Sequence, residues 1–125
     1  SAYRNNSSNY NMLNRLRDTA QDVPGFDHIL YNNLGYKGGK EIVQMDAAKC
    51  TLANNYFDLN LQATDADFIS LDENLLTAPR KADGSLPDID FMQLKSTSQF
   101  IDKGKMIGFS FKGMAPDLGA FEVNK

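Results

Sequence analysis

The sequence predicts an all-β fold, a parallel β-helix in which successive coils of short strands stack on one another. Three observations predict it. A pair of asparagines recurs after 22 residues, at positions 32–33 and 54–55, and a period of roughly 20 to 50 residues is typical of solenoids. Short apolar runs lie between the two pairs, bounded by turn residues. No run between the pairs has the length and spacing of a crossover helix.

The paired asparagines are expected to form one corner of each coil. A sharp bend between strands needs a residue that tolerates left-handed backbone angles, and Asn tolerates them best after Gly. Stacked Asn side chains can bond to the backbone and to the Asn of the next coil, which makes a ladder. The alternative is two unrelated Asx turns. The flanking apolar runs repeat together with the pairs, which favours the ladder.

The apolar runs give the expected strands in chain order. "HIL" precedes the first asparagine pair and "LGY" follows it; "KEIVQM" and "CTLA" then lead to the second pair, which "YF" follows. Each coil therefore contains three short strands. The side chains expected in the stacked interior are those of Leu30, Leu34, Val43, Met45, Leu52 and Tyr56.

A third, partial copy of the repeat opens the chain. Tyr3 in "SAYRNN" matches Tyr36 in "LGYKGG", an offset of 33 residues, and the run "YNMLNRL" follows as a further strand. The offset exceeds one coil by about ten residues, and the turn-rich segment "RDTAQDVPGFD" accounts for the excess as a loop. The chain is thus expected to start partway through a coil.

After Leu61 the repeat fades, and short apolar clusters alternate with turn formers. Solenoids need an irregular cap over the last coil, because its apolar face and strand edge are otherwise open. We therefore divide the chain into residues 1–61, the C-terminal coils of a β-helix, and residues 62–125, an irregular tail that wraps and caps them.

Composition excludes several classes of function. The 125 residues carry a net charge of −3 and no Lys/Arg cluster, so nucleic acid is not an expected partner. No apolar run approaches the roughly 20 residues that span a bilayer. A single cysteine, Cys50, excludes an internal disulfide, and its apolar neighbours predict a small buried side chain.

Phrases along most of the chain resemble one protein family. "DADFISLDENLLTAPRKADGSLPDIDFMQLK", "STSQFIDKG" and "GMAPDLGAFE" resemble the C-terminal end of polysaccharide lyase family nine, which includes secreted bacterial pectate and rhamnogalacturonan lyases. "HILYNNLGYKGG" and "CTLANNYFDL" resemble the last coils of the same proteins. The resemblance implies a right-handed parallel β-helix, with two to three of its coils in this chain.

The resemblance also implies an activity. Members of this family cleave acidic pectic polysaccharides of the plant cell wall by β-elimination, outside the cytoplasm: secreted, periplasmic or at the bacterial surface. Calcium held by aspartates binds the uronate carboxylate, and a lysine removes the adjacent proton. No phrase of this chain resembles those aspartates or that lysine. Calcium's main site is therefore expected upstream, and no catalytic residue is assigned. Lys40 is the residue that most resembles the family's lysine, but we expect it to be a solvated turn residue.

Substrate contacts are predicted on the strands "YNMLNRL" and "EIVQM", which the resemblance assigns to the sheet that carries the groove. With apolar residues pointing inward, Asn11, Arg15 and Gln44 are expected to face outward. Arg15 and Arg17 can bind uronate carboxylates bidentately. Ordinary surface charge is the alternative for both arginines.

A structural calcium site is a further hypothesis. Asp102 and Asp117 lie in turns within the two phrases most typical of the family, and calcium prefers six to eight oxygen ligands. The alternative is that each carboxylate caps its own turn. His28, before a strand, is expected to be a hydrogen-bonded structural histidine.

Two functions of different class follow. The first is the C-terminal part of a calcium-dependent pectic lyase that docks on preceding coils of the same β-helix. The second is a non-catalytic β-helix segment for carbohydrate binding or structural support, since a fold alone does not determine function.

Overall fold

A computed structural model describes residues 1–123, which form short strands and contain no α-helix. Three short 3₁₀ helices cover Ala47–Lys49, Asp65–Asp67 and Glu73–Thr77. The strands are β1 (Ala2–Tyr3), β2 (Tyr10–Asn11), β3 (Asn14–Arg15), β4 (Asp22–Val23), β5 (Ile29–Tyr31), β6 (Gly35–Tyr36), β7 (Ile42–Val43) and β8 (Thr51–Ala53). Every strand named here ends before Asn54, so the regular pairing belongs to the first half of the chain.

Parallel pairing joins strands that lie far apart in the sequence. Tyr3 of β1 stands opposite Tyr36 of β6, which confirms the 33-residue offset between the two copies. β2 pairs with β7, and β5 pairs with β8. In the last pair Leu30 stands opposite Leu52, so the register equals the 22-residue interval between the asparagine pairs.

The predicted single strand over "YNMLNRL" is wrong. The parallel pairing of β2 ends at Asn11, and β3 pairs antiparallel with β4. Residues 14–23 therefore form a hairpin arm, which begins in the predicted strand and continues into the segment expected to be a loop. The chain rejoins the parallel stack at Gly25, which bridges to Met45. A Cβ atom at Gly25 would lie 1.7 Å from the carbonyl oxygen of Met12, so only glycine fits where the arm closes.

The strand predicted at "YF" is also wrong. Tyr56 and Phe57 lie in a turn, in which the Leu61 N–H donates to the carbonyl oxygen of Tyr56 at 3.0 Å. Asp58 Oδ2 accepts the backbone N–H of Asn55 at 3.0 Å. This carboxylate bends the chain immediately after the asparagine pair, before a strand can form.

The asparagine corner is confirmed. Asn32 and Asn54 both have left-handed φ angles, 57° and 54°. The second residue of each pair forms the ladder. Asn33 donates to Asn55 Oδ1 through its backbone N–H at 3.0 Å and through Nδ2 at 2.8 Å. Asn55 Nδ2 in turn donates to the Leu30 carbonyl oxygen at 2.8 Å, so the corner is held to the strand that enters it.

The first residue of each pair binds a distant segment, residues 103–107, which we call the strap. Asn54 Nδ2 donates to the Lys103 carbonyl oxygen at 2.8 Å. Asn32 Nδ2 donates to the Lys105 carbonyl oxygen at 2.9 Å, and Asn32 Oδ1 accepts the Lys105 N–H at 2.6 Å. The strap therefore crosses both corners, and the two corners bind strap residues that are two positions apart.

The main hydrophobic cluster lies where the strands meet the second half of the chain. Its buried members are Leu34, Tyr56, Phe68, Phe91, Met92, Leu94, Phe100 and Leu118. Only Leu34 and Tyr56 of this group belong to the predicted coil region. Of the other expected interior residues, Leu30 is buried, whereas Val43, Met45 and Leu52 are half-buried. Within residues 1–123, no helix has the length and apolar character that crossing a membrane requires.

Candidate functional site

Two of the predicted substrate contacts meet on the paired strands β2 and β7. Asn11 stands opposite Val43, and Gln44 follows immediately; both polar side chains are exposed. Gln44 has a left-handed φ of 55°, and its carbonyl oxygen accepts the Gly25 N–H at 2.8 Å. Their outward orientation is confirmed, and their contact with substrate stays a prediction.

The predicted arginines lie on the hairpin arm and not on this strand pair. Arg15 belongs to β3 and donates to Asp22 Oδ1 at 2.8 Å, and Arg17 lies in the turn that follows. Both arginines are exposed. The arm leaves the stack after Met12 and rejoins it beside Gln44, so both ends of the segment that carries the arginines lie next to this strand pair.

Neither lysine near the tight turn after β6 is set up as a base. Lys40 is exposed, as expected for a solvated turn residue. The Lys37 ammonium lies 3.0 Å from Asp65 Oδ1 and 5.1 Å from the centre of the Tyr36 ring. The hydrogen bond with Asp65 raises the pKa of Lys37, so this amine is held in its protonated form. A lysine that removes a proton needs the opposite shift.

Sequence reasoning missed the partner of Lys37. The Tyr36 hydroxyl donates to Asp65, and this bond together with Lys37 lowers the pKa of the carboxyl group. A cleft of about 510 Å³ beside them is lined by Lys37, Lys40, Glu41 and Tyr56, among others. Tyr36 and Asp65 are 29 residues apart, and no sequence pattern links them.

Asp102 and Asp117 lie close together, and three of their carboxylate oxygens accept backbone N–H groups. Asp117 Oδ1 accepts the Asp102 N–H at 2.8 Å, and Oδ2 accepts the Val123 N–H at 2.8 Å. Asp102 Oδ1 accepts backbone N–H groups of Met114 and Ala115 at 3.0 and 3.3 Å. A structural calcium site at this pair stays a prediction, because a carboxylate oxygen that accepts an N–H group keeps a further lone pair for a metal. The geometry favours turn capping.

Metal binding elsewhere has no support in the described part of the chain. Residues 1–123 contain no group of three or more His, Cys, Asp and Glu side chains placed to hold an ion. His28 Nε2 lies 2.8 Å from Asn14 Oδ1, which agrees with a structural role. Cys50 is half-buried, and its Sγ lies 3.5 Å from the Gly25 carbonyl oxygen.

Comparison with known proteins identifies relatives over most of the chain. A family model described as rhamnogalacturonan lyase-like, C-terminal, matches residues 46–119. Proteins named pectate lyase L from Dickeya chrysanthemi and Dickeya dadantii (strain 3937) are 38% and 37% identical over 101 residues, 80% of this chain. The match covers 23% of each relative, so the chain spans about a quarter of their length.

Two solved structures are similar as well. A rhamnogalacturonan lyase has a TM-score of 0.62 and 37% identity, with 76% of this chain and 26% of that chain covered. The crystal structure of pectate lyase Pel9A has a TM-score of 0.68 and 31% identity, with 98% of this chain and 30% of that chain covered. The likeness to these lyases therefore includes both sequence and three-dimensional structure.

Proposed function

The chain belongs to the rhamnogalacturonan lyase-like family, and from this we propose that it is the C-terminal portion of a secreted, calcium-dependent polysaccharide lyase. The complete enzyme cleaves a pectic uronic-acid polysaccharide, pectate or rhamnogalacturonan, by β-elimination. The observation that carries the proposal is the match to lyases over 80% of the chain, which covers only 23% of their length. Secretion agrees with a substrate that lies in plant cell walls.

The proposed architecture is the end of a right-handed parallel β-helix. Residues 1–61 form its last two to three coils, and residues 62–125 form the tail that caps them. Parallel registers of 33 and 22 residues support stacked coils, as does the similarity to Pel9A. The strap and the shared core at Leu34 and Tyr56 support a tail that packs against the coils.

This chain's own share of the work is binding, not bond cleavage. Lys37 is held protonated beside Asp65, so it does not supply the base. The carboxylates of Asp102 and Asp117 hold turns, so they do not supply the main calcium site. We assign both to coils upstream. The exposed residues Asn11 and Gln44 extend the substrate surface, with the arginines of the hairpin arm at its edge. A guanidinium binds a uronate carboxylate through two parallel hydrogen bonds.

Activity measurements on two polypeptides test the proposal. The 125-residue chain and a longer polypeptide that includes the preceding coils are each incubated with polygalacturonate and with rhamnogalacturonan, with calcium or with a chelator. We expect the unsaturated uronate product, followed by its ultraviolet absorbance, only from the longer polypeptide with calcium. If the longer polypeptide forms no such product on either glycan, the lyase proposal is wrong.

The second candidate function is a non-catalytic carbohydrate-binding or supporting segment. It rests on the exposed polar side chains of Asn11 and Gln44 on one strand pair, which can bind a glycan without a catalytic group. Binding of pectic glycan by the longer polypeptide without cleavage would select it. Turnover by the 125-residue chain alone would instead mean that a catalytic group lies within it, and Lys40→Ala is the first variant to examine.

A further inference from the structure

We propose that the corner after strands β1 and β6 is a second binding surface for an acidic glycan, and that the tail occupies it with two of its own carboxylates. We call this surface the basic corner; it consists of Tyr3, Arg4, Tyr36 and Lys37. It lies on a different strand pair from the exposed polar residues described above, which lie at β2 and β7. The inference rests on the proposed function in taking a uronic-acid polymer as the ligand.

Two basic side chains stand next to each other at this corner. Tyr3 of β1 is level with Tyr36 of β6. Arg4 and Lys37 follow directly, with left-handed φ angles of 49° and 56°. Stacked strands are about 4.8 Å apart, and like charges at directly opposed positions repel each other. The basic corner therefore favours anions beside it.

The tail supplies one carboxylate to each cation. The Lys37 ammonium lies 3.0 Å from Asp65 Oδ1, which also accepts the Tyr36 hydroxyl. Arg4 Nη1 donates to Glu73 Oε1 at 2.6 Å. Asp65 and Glu73 lie in two successive 3₁₀ helices. The basic corner thus already binds carboxylates at two neighbouring points, which is what recognition of a polymer with repeated carboxylates requires.

These internal carboxylates are exchangeable. The side chain of Asp65 is 71% exposed and that of Glu73 is 47% exposed. Ion pairs between exposed side chains contribute little to stability, so a carboxylate from solution can replace either of them at small cost. The Arg4 guanidinium donates to no other residue within 1–123. It therefore keeps its planar fork for a bidentate contact with a uronate.

The two tyrosines give the basic corner a rigid aromatic surface. The Tyr3 ring meets Phe91 edge to face at 5.3 Å. The Tyr36 ring stacks on Phe68 at the same distance between centres. Both phenylalanines are buried, so the tyrosines are fixed before a ligand arrives, which lowers the ordering cost of binding. Aromatic rings with a polar edge suit a sugar ring, which has an apolar face and hydroxyl groups at its rim.

An open cleft lies at each cation. One cleft, of about 370 Å³, is lined by Tyr3, Arg4 and Glu73, among others. The other, of about 510 Å³, includes Tyr36 and Lys37 in its lining. Small-molecule sites commonly have volumes of about 300–1,000 Å³, so each cleft is large enough for a sugar unit. Two clefts at neighbouring cations favour a chain of acidic sugars over a single small anion.

Calorimetric titration of the 125-residue chain with a polygalacturonate oligomer, at one dilute protein concentration and with a chelator present, tests the proposal. Asp65→Asn removes the competing charge and should tighten binding roughly threefold. Lys37→Gln removes a cation of the basic corner and should weaken binding roughly fivefold. Asp88→Asn and Lys81→Gln are the matched controls, because they make the same charge changes in an exposed ion pair elsewhere. Their affinities should stay close to that of the wild type.

An Asp65→Asn chain that binds no more tightly than Asp88→Asn would overturn the proposal, because the ion pair would then only hold the tail. Two further ligands test the assignment to an acidic glycan. The methyl-esterified oligomer lacks the charges and polyglutamate lacks the sugar rings, so both should bind more weakly. If either binds as tightly as the uronate oligomer, the assignment is wrong. The thermal midpoint of each variant shows that it is folded.

The titration does not depend on bond cleavage, because the chelator removes calcium and the measured quantity is affinity. A failed titration therefore overturns the basic corner without affecting the lyase proposal. A longer polypeptide that cleaves neither glycan does the reverse.

Discussion

Residues 1–61 and residues 62–123 are stabilised in different ways. In the first region three strand pairs are parallel, yet Val43, Met45 and Leu52 remain half-buried. In the second region regular pairing is nearly absent, yet Phe100 and Leu118 are fully buried. Repeats bury their apolar faces against neighbouring repeats. The comparison indicates that part of the first region's apolar surface needs further neighbours, whereas the second region buries its core residues, together with Leu34 and Tyr56 of the first.

Hydrogen bonding differs in the same direction. The first region satisfies its backbone through strand pairs and asparagine amides. The second relies on carboxylates: Asp67 accepts the Thr64 N–H at 2.9 Å, and Asp117 accepts the Asp102 N–H at 2.8 Å. Carboxylates that accept hydrogen bonds from backbone N–H groups are a common way to hold irregular turns. The irregular backbone of the tail therefore accounts for the roles of Asp67 and Asp117.

Loss of a core side chain in the second region is expected to have the largest effect. Leu118→Ala removes a fully buried side chain and should lower the free energy of unfolding by about 3–5 kcal/mol. The matched variant Leu52→Ala, at a half-buried position, should cost only about 1 kcal/mol. Urea unfolding measures both losses of stability. The variants are compared at one protein concentration, because self-association would shift the midpoint. Equal losses would remove the difference between the regions.

The asparagine ladder gives the next largest effect. Asn55 is fully buried, and Asn55→Ala removes the acceptor of the Asn33 backbone N–H and a donor to the Leu30 carbonyl oxygen. We expect a loss of roughly 3 kcal/mol. Asn74→Ala is the control, because Asn74 is exposed and bonds only locally to Asp72; its cost should stay within about 0.5 kcal/mol. A cost at Asn55 as small as that would show that the ladder adds nothing to stability.

Acid should destabilise the second region through Asp67. Burial raises the pKa of Asp67, but hydrogen bonds from Thr64, Ser98 and Gln99 outweigh it, and the pKa lies below its usual value. A lowered folded-state pKa means that the stabilisation is complete above the unfolded value of about 3.9 and is lost as pH falls through the folded value. Between pH 6 and about pH 3, the thermal midpoint should therefore fall more steeply for the wild type than for Asp67→Asn.

An exposed carboxylate provides the control for this pH dependence. Asp88 is 91% exposed in its ion pair with Lys81, and Asp88→Asn should leave the acid profile close to that of the wild type. If Asp67→Asn also kept the full wild-type slope, hydrogen bonding to Asp67 would not be the cause of acid sensitivity.

The contact between the two regions should have the smallest effect. Asn32→Gly keeps the left-handed angle at no steric cost and removes only the amide that binds Lys105. We expect a loss of about 1 kcal/mol and faster hydrogen exchange at the Lys105 N–H. Asn60→Gly controls for the added glycine, because Asn60 is exposed and has a similar φ of 52°. Unchanged exchange at Lys105 would argue against the strap.

The repeating contacts could be predicted from sequence because a repeat shows which residues are equivalent. The matches of Tyr3 with Tyr36 and of Asn32 with Asn54 gave the register and the left-handed corners. Stacking in register brings equivalent residues together, so local patterns were sufficient for this part of the fold.

The remaining contacts depend on residues that no pattern relates. Asn32 and Lys105 are 73 residues apart, and the strap has no counterpart elsewhere in the sequence. The hairpin arm was missed because "YNMLNRL" contains no Gly or Pro to mark a break, whereas the close approach of Gly25 to Met12 requires the chain to leave the stack. For the candidate site, sequence predicted the exposure of Asn11 and Gln44, but not the pairing of Lys37 with Asp65.

Sedimentation of the 125-residue chain over a range of concentrations tests the central claim most directly, because that claim assigns the repeating region to a longer β-helix. The account predicts self-association that grows with concentration, as open strand edges and half-buried side chains such as Val43 and Leu52 pair between copies. Extension by preceding coils should abolish it. A chain that stays monomeric at every concentration and unfolds in one cooperative calorimetric transition would contradict the account, and would identify a self-contained module.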